Sequence, residues 1–512
     1  MIPVVTAAEM RALDRATIDE VGLPAVTLME TAGRAVAEVA LRMLGARRGH
    51  VMVVCGPGNN GGDGFVAARV LRDRGVDAVV YLAAARAAVR GDAGTHLEIL
   101  ERAGGAVHSI AAPEQLAALG ARVIDAVLVI DALFGVGLAR PIEGHLAEVV
   151  TMMRRAERVL AIDLPSGLDA DTGRELGVAV IAARTVTMAA AKVALVSAPG
   201  FAYAGELEIA EIGIPAARIA AAHVGASLVE ARDVAAWLPH AQPTEHKGRR
   251  GHVLVVAGSP GMRGAGRLAA TAALRAGAGL CTLAADGELE APDPVMTRSL
   301  AAGGTLTALL TGKAAVVIGP GIGATEAAAA RVHEVLASGI PAVLDADALN
   351  VLAADPASIA RAAGPVVVTP HPGEASRLLG ITVAAIEADR LAAARALAAT
   401  TRAVVVLKGA RTIVCDGRSD HTSSGASADL HCSINPTGGP ALATGGSGDV
   451  LAGTIGALLA QGLSAVDAAR AGVFVHGVAG DQLAKVHGAR GVMSSDLPTA
   501  IASAILALSS QR

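Results

Sequence analysis

The stretch Asn435-Pro436-Thr437-Gly438-Gly439-Pro440-Ala441-Leu442-Ala443-Thr444-Gly445-Gly446-Ser447-Gly448-Asp449 runs directly into Val450-Leu451-Ala452-Gly453-Thr454-Ile455, an apolar pattern of helical type. Glycines just ahead of a helix let backbone N–H groups converge on an anion, and the helix dipole adds positive potential there. A carboxylate at that helix start sits beside the bound anion. Asp449 could therefore take the proton from a hydroxyl that attacks a phosphoryl group. The plainer alternative is a Gly-rich turn that Asp449 merely caps. Other segments of the chain favour the chemical reading.

In the first half, Gly56-Pro57-Gly58-Asn59-Asn60-Gly61-Gly62-Asp63-Gly64 follows an apolar run and precedes the helical run Phe65 to Arg74. Five glycines in nine residues permit close approach of backbone to a phosphate at a helix start. Asp131-Ala132-Leu133-Phe134-Gly135-Val136-Gly137 and Asp163-Leu164-Pro165-Ser166-Gly167-Leu168-Asp169 end two further apolar runs. These loops could bring Asn60, Asp131, Asp163 and Ser166 together above one sheet. Oxygen groups of this kind suit a hard cation, and a carboxylate among them could accept a proton. Each Asp could instead cap its own turn. Lys192, among alanines after the strand-like Thr185-Val186-Thr187-Met188, reads equally as a pocket lysine or a surface charge.

The second half repeats the style. Gly258-Ser259-Pro260-Gly261-Met262-Arg263-Gly264-Ala265-Gly266, Gly319-Pro320-Gly321-Ile322-Gly323, Asp345-Ala346-Asp347-Ala348-Leu349-Asn350, Thr369-Pro370-His371-Pro372-Gly373-Glu374 and Lys408-Gly409-Ala410-Arg411-Thr412 each end an apolar run. All would gather with Asp449 on one edge of a parallel sheet. His371, held between two prolines, suits a ligand contact or a helix cap. Lys408 suits a nucleotide phosphate or a solvated strand end. His476, inside an apolar helical run, reads as a satisfied core histidine.

The elements that must position these groups are short β-branched runs alternating with Ala-rich helical ones. Val51 to Cys55, Val127 to Asp131, Val159 to Asp163, Val253 to Ala257, Ala314 to Ile318, Ala342 to Leu344, Val366 to Thr369 and Val404 to Leu407 read as buried parallel strands. Both halves are therefore predicted to be α/β with largely parallel sheets, without aligning as an internal repeat. At 512 residues the chain calls for more than one domain. The boundary is placed near residue 220, giving domains 1–220 and 221–512, and Trp237-Leu238-Pro239-His240-Ala241-Gln242-Pro243 reads as linker. Arg418 to Leu430, polar and Ser-rich, reads as a mobile surface loop.

Composition removes several classes of function. Lys plus Arg number 43 against 47 Asp plus Glu, a net charge of −4, so no nucleic-acid partner is expected. Mean hydropathy is +0.51, but Ala and Val account for it. The most apolar stretches, such as Ile181 to Phe201 with its Arg184 and Lys192, are broken by charge, so no membrane partner is expected. Met1-Ile2-Pro3-Val4-Val5-Thr6 lacks the pattern of a secretory signal. Cys55, Cys281, Cys415 and Cys432 form no CxxC pair, which fits a reduced cytoplasmic protein without a zinc site. With four Phe, two Tyr and one Trp, the cores must be aliphatic.

Asn59-Asn60-Gly61-Gly62-Asp63-Gly64 with Asp163-Leu164-Pro165-Ser166-Gly167, and Thr369-Pro370-His371-Pro372-Gly373-Glu374 with Ala443-Thr444-Gly445-Gly446-Ser447-Gly448-Asp449, give the chain its resemblance to the bacterial bifunctional NAD(P)H-hydrate repair enzymes. The resemblance covers nearly the whole length. It implies an N-terminal Rossmann-like epimerase domain and a C-terminal ribokinase-like, ADP-dependent dehydratase domain, both three-layer sandwiches. By resemblance, Asn59, Asn60, Gly61, Gly62, Asp63 and the loop Gly135, Val136, Gly137, Leu138, Ala139, Arg140 and Pro141 would hold the hydrate. Asn60, Asp131 and Ser166 would bind K⁺. Asp163, with Lys192 as partner, would work at the epimerising carbon. Ala265, Gly321, His371 and Asp449 would contact the hydrate in the dehydratase. Lys408, Gly409, Ala410, Arg411, Thr412 and Gly448 would contact the adenine nucleotide, with ADP as phosphoryl donor and Mg²⁺ beside it. The implied partners are small molecules: NADH hydrate, NADPH hydrate, ADP and AMP. A homo-oligomer is expected. The competing reading is a ribokinase-like small-molecule kinase with a non-catalytic N-terminal binding module.

Overall fold

A computed structural model describes residues 1–222, 224–300, 304–418 and 430–510. Apart from its two ends, the polar stretch between Arg418 and Leu430 lies outside the described residues. The chain forms two compact units, Ile2–Val224 and Gly225–Arg512 with Met1.

In the first unit β1 (Ile2–Val5) is followed by β2 (His50–Cys55), β3 (Asp77–Leu82), β4 (Val107–Ser109), β5 (Leu128–Ala132), β6 (Val159–Ile162), β7 (Arg184–Met188), β8 (Ala191–Lys192) and β9 (Glu206–Ala210). Seven of them form a sheet in the order β4-β3-β2-β5-β6-β7-β9, with all neighbours parallel. β1 pairs with β8 in parallel, setting Val5 opposite Lys192. Alternate residues of a strand face opposite sides. Val51, Val53 and Cys55 of β2 accordingly enter one core with the helices Ala25–Leu44 and Asn59–Asp73. Met52 and Val54 enter a second core with Val149, Val150 and Met153 of the helix Gly144–Met153. Burial on both faces is why these strands are continuous apolar runs rather than alternating ones.

The second unit contains β10 (Ala226–Leu228), β11 (His252–Val256), β12 (Leu280–Asp286), β13 (Met296–Leu300), β14 (Ala315–Ile318), β15 (Ala342–Leu344), β16 (Val366–Val368), β17 (Val404–Leu407), β18 (Ile413–Asp416) and β19 (Cys432–Ile434). Their order is β13-β12-β11-β14-β15-β16-β17-β18-β19-β10. Only β18 runs antiparallel to its neighbours. The helix Ser447–Ala460 is buried along nearly its whole length. It packs so closely on the helix Arg263–Arg275 that a Cβ at Gly453 would lie 2.1 Å from the Ala269 carbonyl oxygen. The two-domain, largely parallel α/β architecture is thus the expected one.

The stretch Trp237 to Pro243 does not begin as a linker. Trp237 closes the helix Ala231–Trp237, whose Val234 is buried with Leu238 in the core of the second unit. The Arg470 guanidinium stacks 5.8 Å above the Trp237 ring. Prolines at 239 and 243 suggest a connector, but the apolar residues Trp237 and Leu238 before them pack.

From β2 in the first sheet and from β11 in the second, the strands are added first one way, then the other. The reversal falls between β2 and β5 in the first and between β11 and β14 in the second. A crevice at the carboxyl ends of strands is the general binding place in such sheets. The motifs singled out above follow those strands.

Candidate active sites

In the first unit Asp163 directly follows β6 with a φ of 65°, a left-handed conformation uncommon for a residue with a side chain. Its backbone N–H donates to the Val186 carbonyl at 2.7 Å. One carboxylate oxygen, Oδ1, meets the Lys192 ammonium at 2.7 Å and accepts from the Thr187 hydroxyl at 3.2 Å. Lys192 is fully buried, and it also donates to Thr187 Oγ1 at 2.9 Å and to the Met188 carbonyl at 2.8 Å. Its three partners leave none of its donors unmatched, as a buried polar group requires. Lys192 is therefore not a surface charge.

The second carboxylate oxygen of Asp163 faces the turn at Gly135. The Val136 N–H lies 3.4 Å from it. A Cβ at Gly135 would come within 3.0 Å of Asp163 Oδ2 and 3.2 Å of Asn60 Oδ1, so Gly135, Asp163 and Asn60 converge. The rest of that loop, Gly137 and Ala139 to Pro141, is exposed, with Leu138 half-buried. Asp131, next to last in β5, is fully buried. It accepts from the Ser166 hydroxyl at 2.6 Å, the Ser166 N–H at 2.8 Å and the Leu133 N–H at 3.2 Å. Burial pushes its carboxyl up to about 6 against those hydrogen bonds. Ser166 Oγ in turn accepts from the Phe134 N–H at 2.8 Å. Asp131 and Ser166 therefore form one oxygen cluster beneath the loop. Asn60 stands near Gly135, and its Nδ2 is buried without a hydrogen-bond partner among the described residues.

Asn59 to Asp63 departs from expectation in one respect: it is the opening of the helix Asn59–Asp73, not a loop ahead of it. A Cβ at Gly61 would sit 1.9 Å from the Gly56 carbonyl oxygen, and one at Gly64 would sit 2.6 Å from the Ala132 Cβ. These glycines serve close packing of helix on strand. Asp63 on this helix is held well above the usual carboxylate range by burial, then by Asp163 and Asp14, with Lys192 pulling the other way. Asp14, on the helix Ala7–Ala16, is raised by burial; Lys192 opposes the shift and Asp163 adds to it. Sequence reasoning missed Asp14, since nothing near it in the chain resembles a motif.

In the second unit the helix Ser447–Ala460 begins after Gly446, whose φ is 88°. A Cβ at Gly446 would lie 2.6 Å from Leu268 Cδ1 and 2.8 Å from Ser494 Oγ. Asp449 is in the first turn. Its carboxyl is pushed up to about 7 by burial and by the like charge of Asp345, with Lys408 opposing. The Lys408 ammonium, just after β17, binds Asp345 Oδ1 at 2.7 Å and stands 3.7 Å from Glu374 Oε2. Burial would lower it, but Asp345, Glu374 and Asp449 hold it above the ordinary lysine value. A Cβ at Gly448 would lie 3.4 Å from Lys408 Nζ, so the cation faces the amide-lined mouth of the helix. Arg390, nearly buried, donates to the Leu407 and Lys408 carbonyls and fixes the turn from Lys408 to Gly409. Arg411 donates to the Pro436 carbonyl at 2.9 Å, and Thr412 Oγ1 to the Gly409 carbonyl at 2.9 Å.

Gly321 and Ala265 are also brought together. A Cβ at Gly321 would be 3.5 Å from the Ala265 Cβ, and the two glycine loops are tied by Gly258 N–H to the Pro320 carbonyl at 2.9 Å. His371 is the N-cap of the helix Pro372–Leu379. Its Nδ1 accepts from the Gly373 and Glu374 N–H groups at 3.0 and 3.3 Å, and its Nε2 faces Glu374 Oε1 at 3.3 Å. Its ring is half exposed, so capping leaves it accessible. His476 is buried as expected, with Nε2 3.1 Å from the Ser447 carbonyl. Burial pulls it down to about 4, so it is neutral.

A family profile described as NAD(P)H-hydrate dehydratase matches residues 253–503, and one described as YjeF-related protein N-terminus matches residues 25–194. A bifunctional NAD(P)H-hydrate repair enzyme of Moorella thermoacetica is 44% identical over 96% of this chain and 94% of its own length. The chain belongs to the bifunctional NAD(P)H-hydrate repair enzymes. A relative of the same description from Coxiella burnetii is 38% identical over 96% of each chain. Among solved structures, an ADP/ATP-dependent NAD(P)H-hydrate dehydratase from Bacillus subtilis is 28% identical, spans 55% of this chain and 98% of its own, and superposes with a TM-score of 0.45.

In this repair-enzyme chain Asp345 and Glu374 stand at the second cleft although no role had been assigned to them. Both lie in segments already singled out, but only their contacts with Lys408, 63 and 34 residues away in sequence, reveal their place. Among the described residues, no group of three or more His, Cys, Asp or Glu side chains could hold a metal. No helix among them is long and apolar enough to cross a membrane.

Proposed function

We infer that this chain repairs hydrated NADH and NADPH with both activities of its family: one unit interconverts the R and S hydrates, and the other dehydrates the S hydrate at the expense of ADP. The observation that carries the dehydratase assignment is Asp449 in the first turn of the Ser447–Ala460 helix, with Lys408 facing the same helix mouth. Asp449 takes the proton of the hydrate hydroxyl as that oxygen attacks the terminal phosphoryl group of ADP. The amides from Gly445 to Gly448 and the Lys408 ammonium stabilise charge on the transferring group. AMP leaves, and the ring C–O bond then breaks to release phosphate while the adjacent ring carbon gives up a proton, which restores the dihydronicotinamide. Gly321, Ala265 and His371 line the hydrate side, and the turn from Lys408 to Thr412 takes the nucleotide. Mg²⁺ would enter with the nucleotide phosphates and neutralise their charge.

In the epimerase the buried Asp163–Lys192 pair supplies a base and a cation beside the loop at Gly135, which with Asn59 to Asp63 holds the hydrate. Carboxylate, hydroxyl and amide oxygens of Asp131, Ser166 and Asn60 form a donor set that fits K⁺. Bound there, the ion would supply positive charge under the substrate loop. We assign the enzyme to the cytoplasm, where its four free, buried cysteines remain reduced.

The test is a mixed-epimer NADPH hydrate preparation given to the purified chain with Mg²⁺, K⁺ and either ADP or ATP. Return of reduced-nicotinamide absorbance beyond the S fraction is expected, faster than spontaneous epimer exchange allows. Recovery that stalls at the S fraction would remove the epimerase assignment. No recovery with either nucleotide in folded protein would favour a kinase.

A further inference from the structure

The proposed chemistry gives Asp449 a task that depends on the charges around it. The Thr369 hydroxyl donates to Asp345 Oδ1 at 2.8 Å, and the Lys408 ammonium donates to the same oxygen at 2.7 Å. Asp345 is essentially buried. Its backbone is clamped too: its N–H donates to the Ile318 carbonyl at 3.1 Å. A Cβ at Gly319 would lie only 1.7 Å from its carbonyl oxygen. A carboxylate so fixed cannot turn away from its partners. Its other oxygen points toward the helix start, where a Cβ at Gly448 would be 3.8 Å from Asp345 Oδ2 and 3.4 Å from Lys408 Nζ. Asp345 and Lys408 therefore flank the residue immediately before Asp449.

We propose that Asp345 is a positioning residue of the dehydratase: it anchors the Lys408 ammonium at the mouth of the Ser447–Ala460 helix and sets the charge that Asp449 faces. The inference rests on Asp449 being the base. Lys408 has three donors. Asp345 takes one, Glu374 stands farther off at 3.7 Å, and the side toward Gly448 is left for an incoming phosphoryl group. The groups that face Asp449 or its helix start are few. Asp345 follows β15 and Lys408 follows β17. Glu374 reaches the cluster through Lys408, and neutral His476 touches Ser447. Of these, Asp345 is the one that opposes ionisation of Asp449 by like charge, and Lys408 favours it.

The experiment follows dehydration of S-hydrate with ADP by the full chain between pH 5 and 9, in wild type, Asp345→Asn and Asp345→Glu. In wild type, kcat should fall on the acid side as Asp449 gains its proton. Asp345→Asn keeps the shape and the hydrogen-bond acceptor but removes the charge. Its acid limb should move to lower pH by about one unit, and Asp345→Glu, which restores the charge, should return it toward wild type. A lower kcat in Asp345→Asn with the limb unmoved would show a merely structural residue and overturn the proposal. If Asp345→Asn does not fold, Lys408→Gln reads the same arrangement from the other side. Two carboxylates without their cation should move the limb to higher pH, and an unmoved limb overturns the proposal. Asp449→Asn separates the two failures: wild-type turnover in that variant would sink the base assignment itself.

Discussion

At the scale of single residues, the two halves place carboxylates in opposite settings. Asp449 is raised to about 7 by burial and by Asp345, which would match the proposed base to neutral pH. Dehydration should therefore fall by about tenfold for each pH unit below that value, as read from kcat against pH. Asp449→Asn should lower dehydration by roughly 10²–10⁴-fold and leave epimer exchange intact; a variant with the wild-type dehydration rate would exclude the base role. Asp163 is instead tied at 2.7 Å to a fully buried ammonium. Removing one member of such a pair strands the other charge. Lys192→Met should abolish epimer exchange and lower the melting temperature of the first unit, whereas Asp163→Asn should stop exchange while S-hydrate turnover continues. Persistent exchange in Asp163→Asn would rule the pair out as the working groups.

At the scale of elements, the glycine-bearing helix starts hold the sites in place. Gly61→Ala would drive a Cβ to 1.9 Å from the Gly56 carbonyl oxygen. Overpacking against backbone of this kind costs about 1–3 kcal/mol or more, and epimer exchange should be lost with it. An Ala variant with unchanged melting and exchange would show that the helix can move away. The same elements explain what could be read in advance. Continuous Val and Ile runs ahead of Asp131, Asp163 or Lys408 announced buried strands, because both faces of a parallel sheet are covered. The helical state of Asn59 to Asp63 was not legible, since glycine is a poor helix former by itself and only its fit against Gly56 and Ala132 justifies it. Asp345 and Glu374 stood in view, but their tie to Lys408 is a contact between separate strand ends and leaves no local pattern. Asp14 comes to the Asp163 cluster from a helix of its own, far away in sequence.

At the scale of the whole molecule, each unit has its own aliphatic core, and each set of candidate residues follows strands of its own sheet. The donor set around Asp131 and Ser166 belongs to the first unit alone. Exchanging Na⁺ for K⁺ at constant ionic strength should therefore raise the melting temperature of that unit without moving the other; equal melting in both salts would speak against the ion assignment. The scarcity of aromatic residues has a practical side. The single tryptophan, Trp237, lies under Arg470 in the second unit, while both tyrosines, Tyr81 and Tyr203, lie in the first. Intrinsic fluorescence is thus already sorted by domain: indole emission follows the dehydratase and phenol emission follows the epimerase. With separate cores, urea titrations read at the two emissions should not coincide. The unmodified chain can report the stability of each half without an added label.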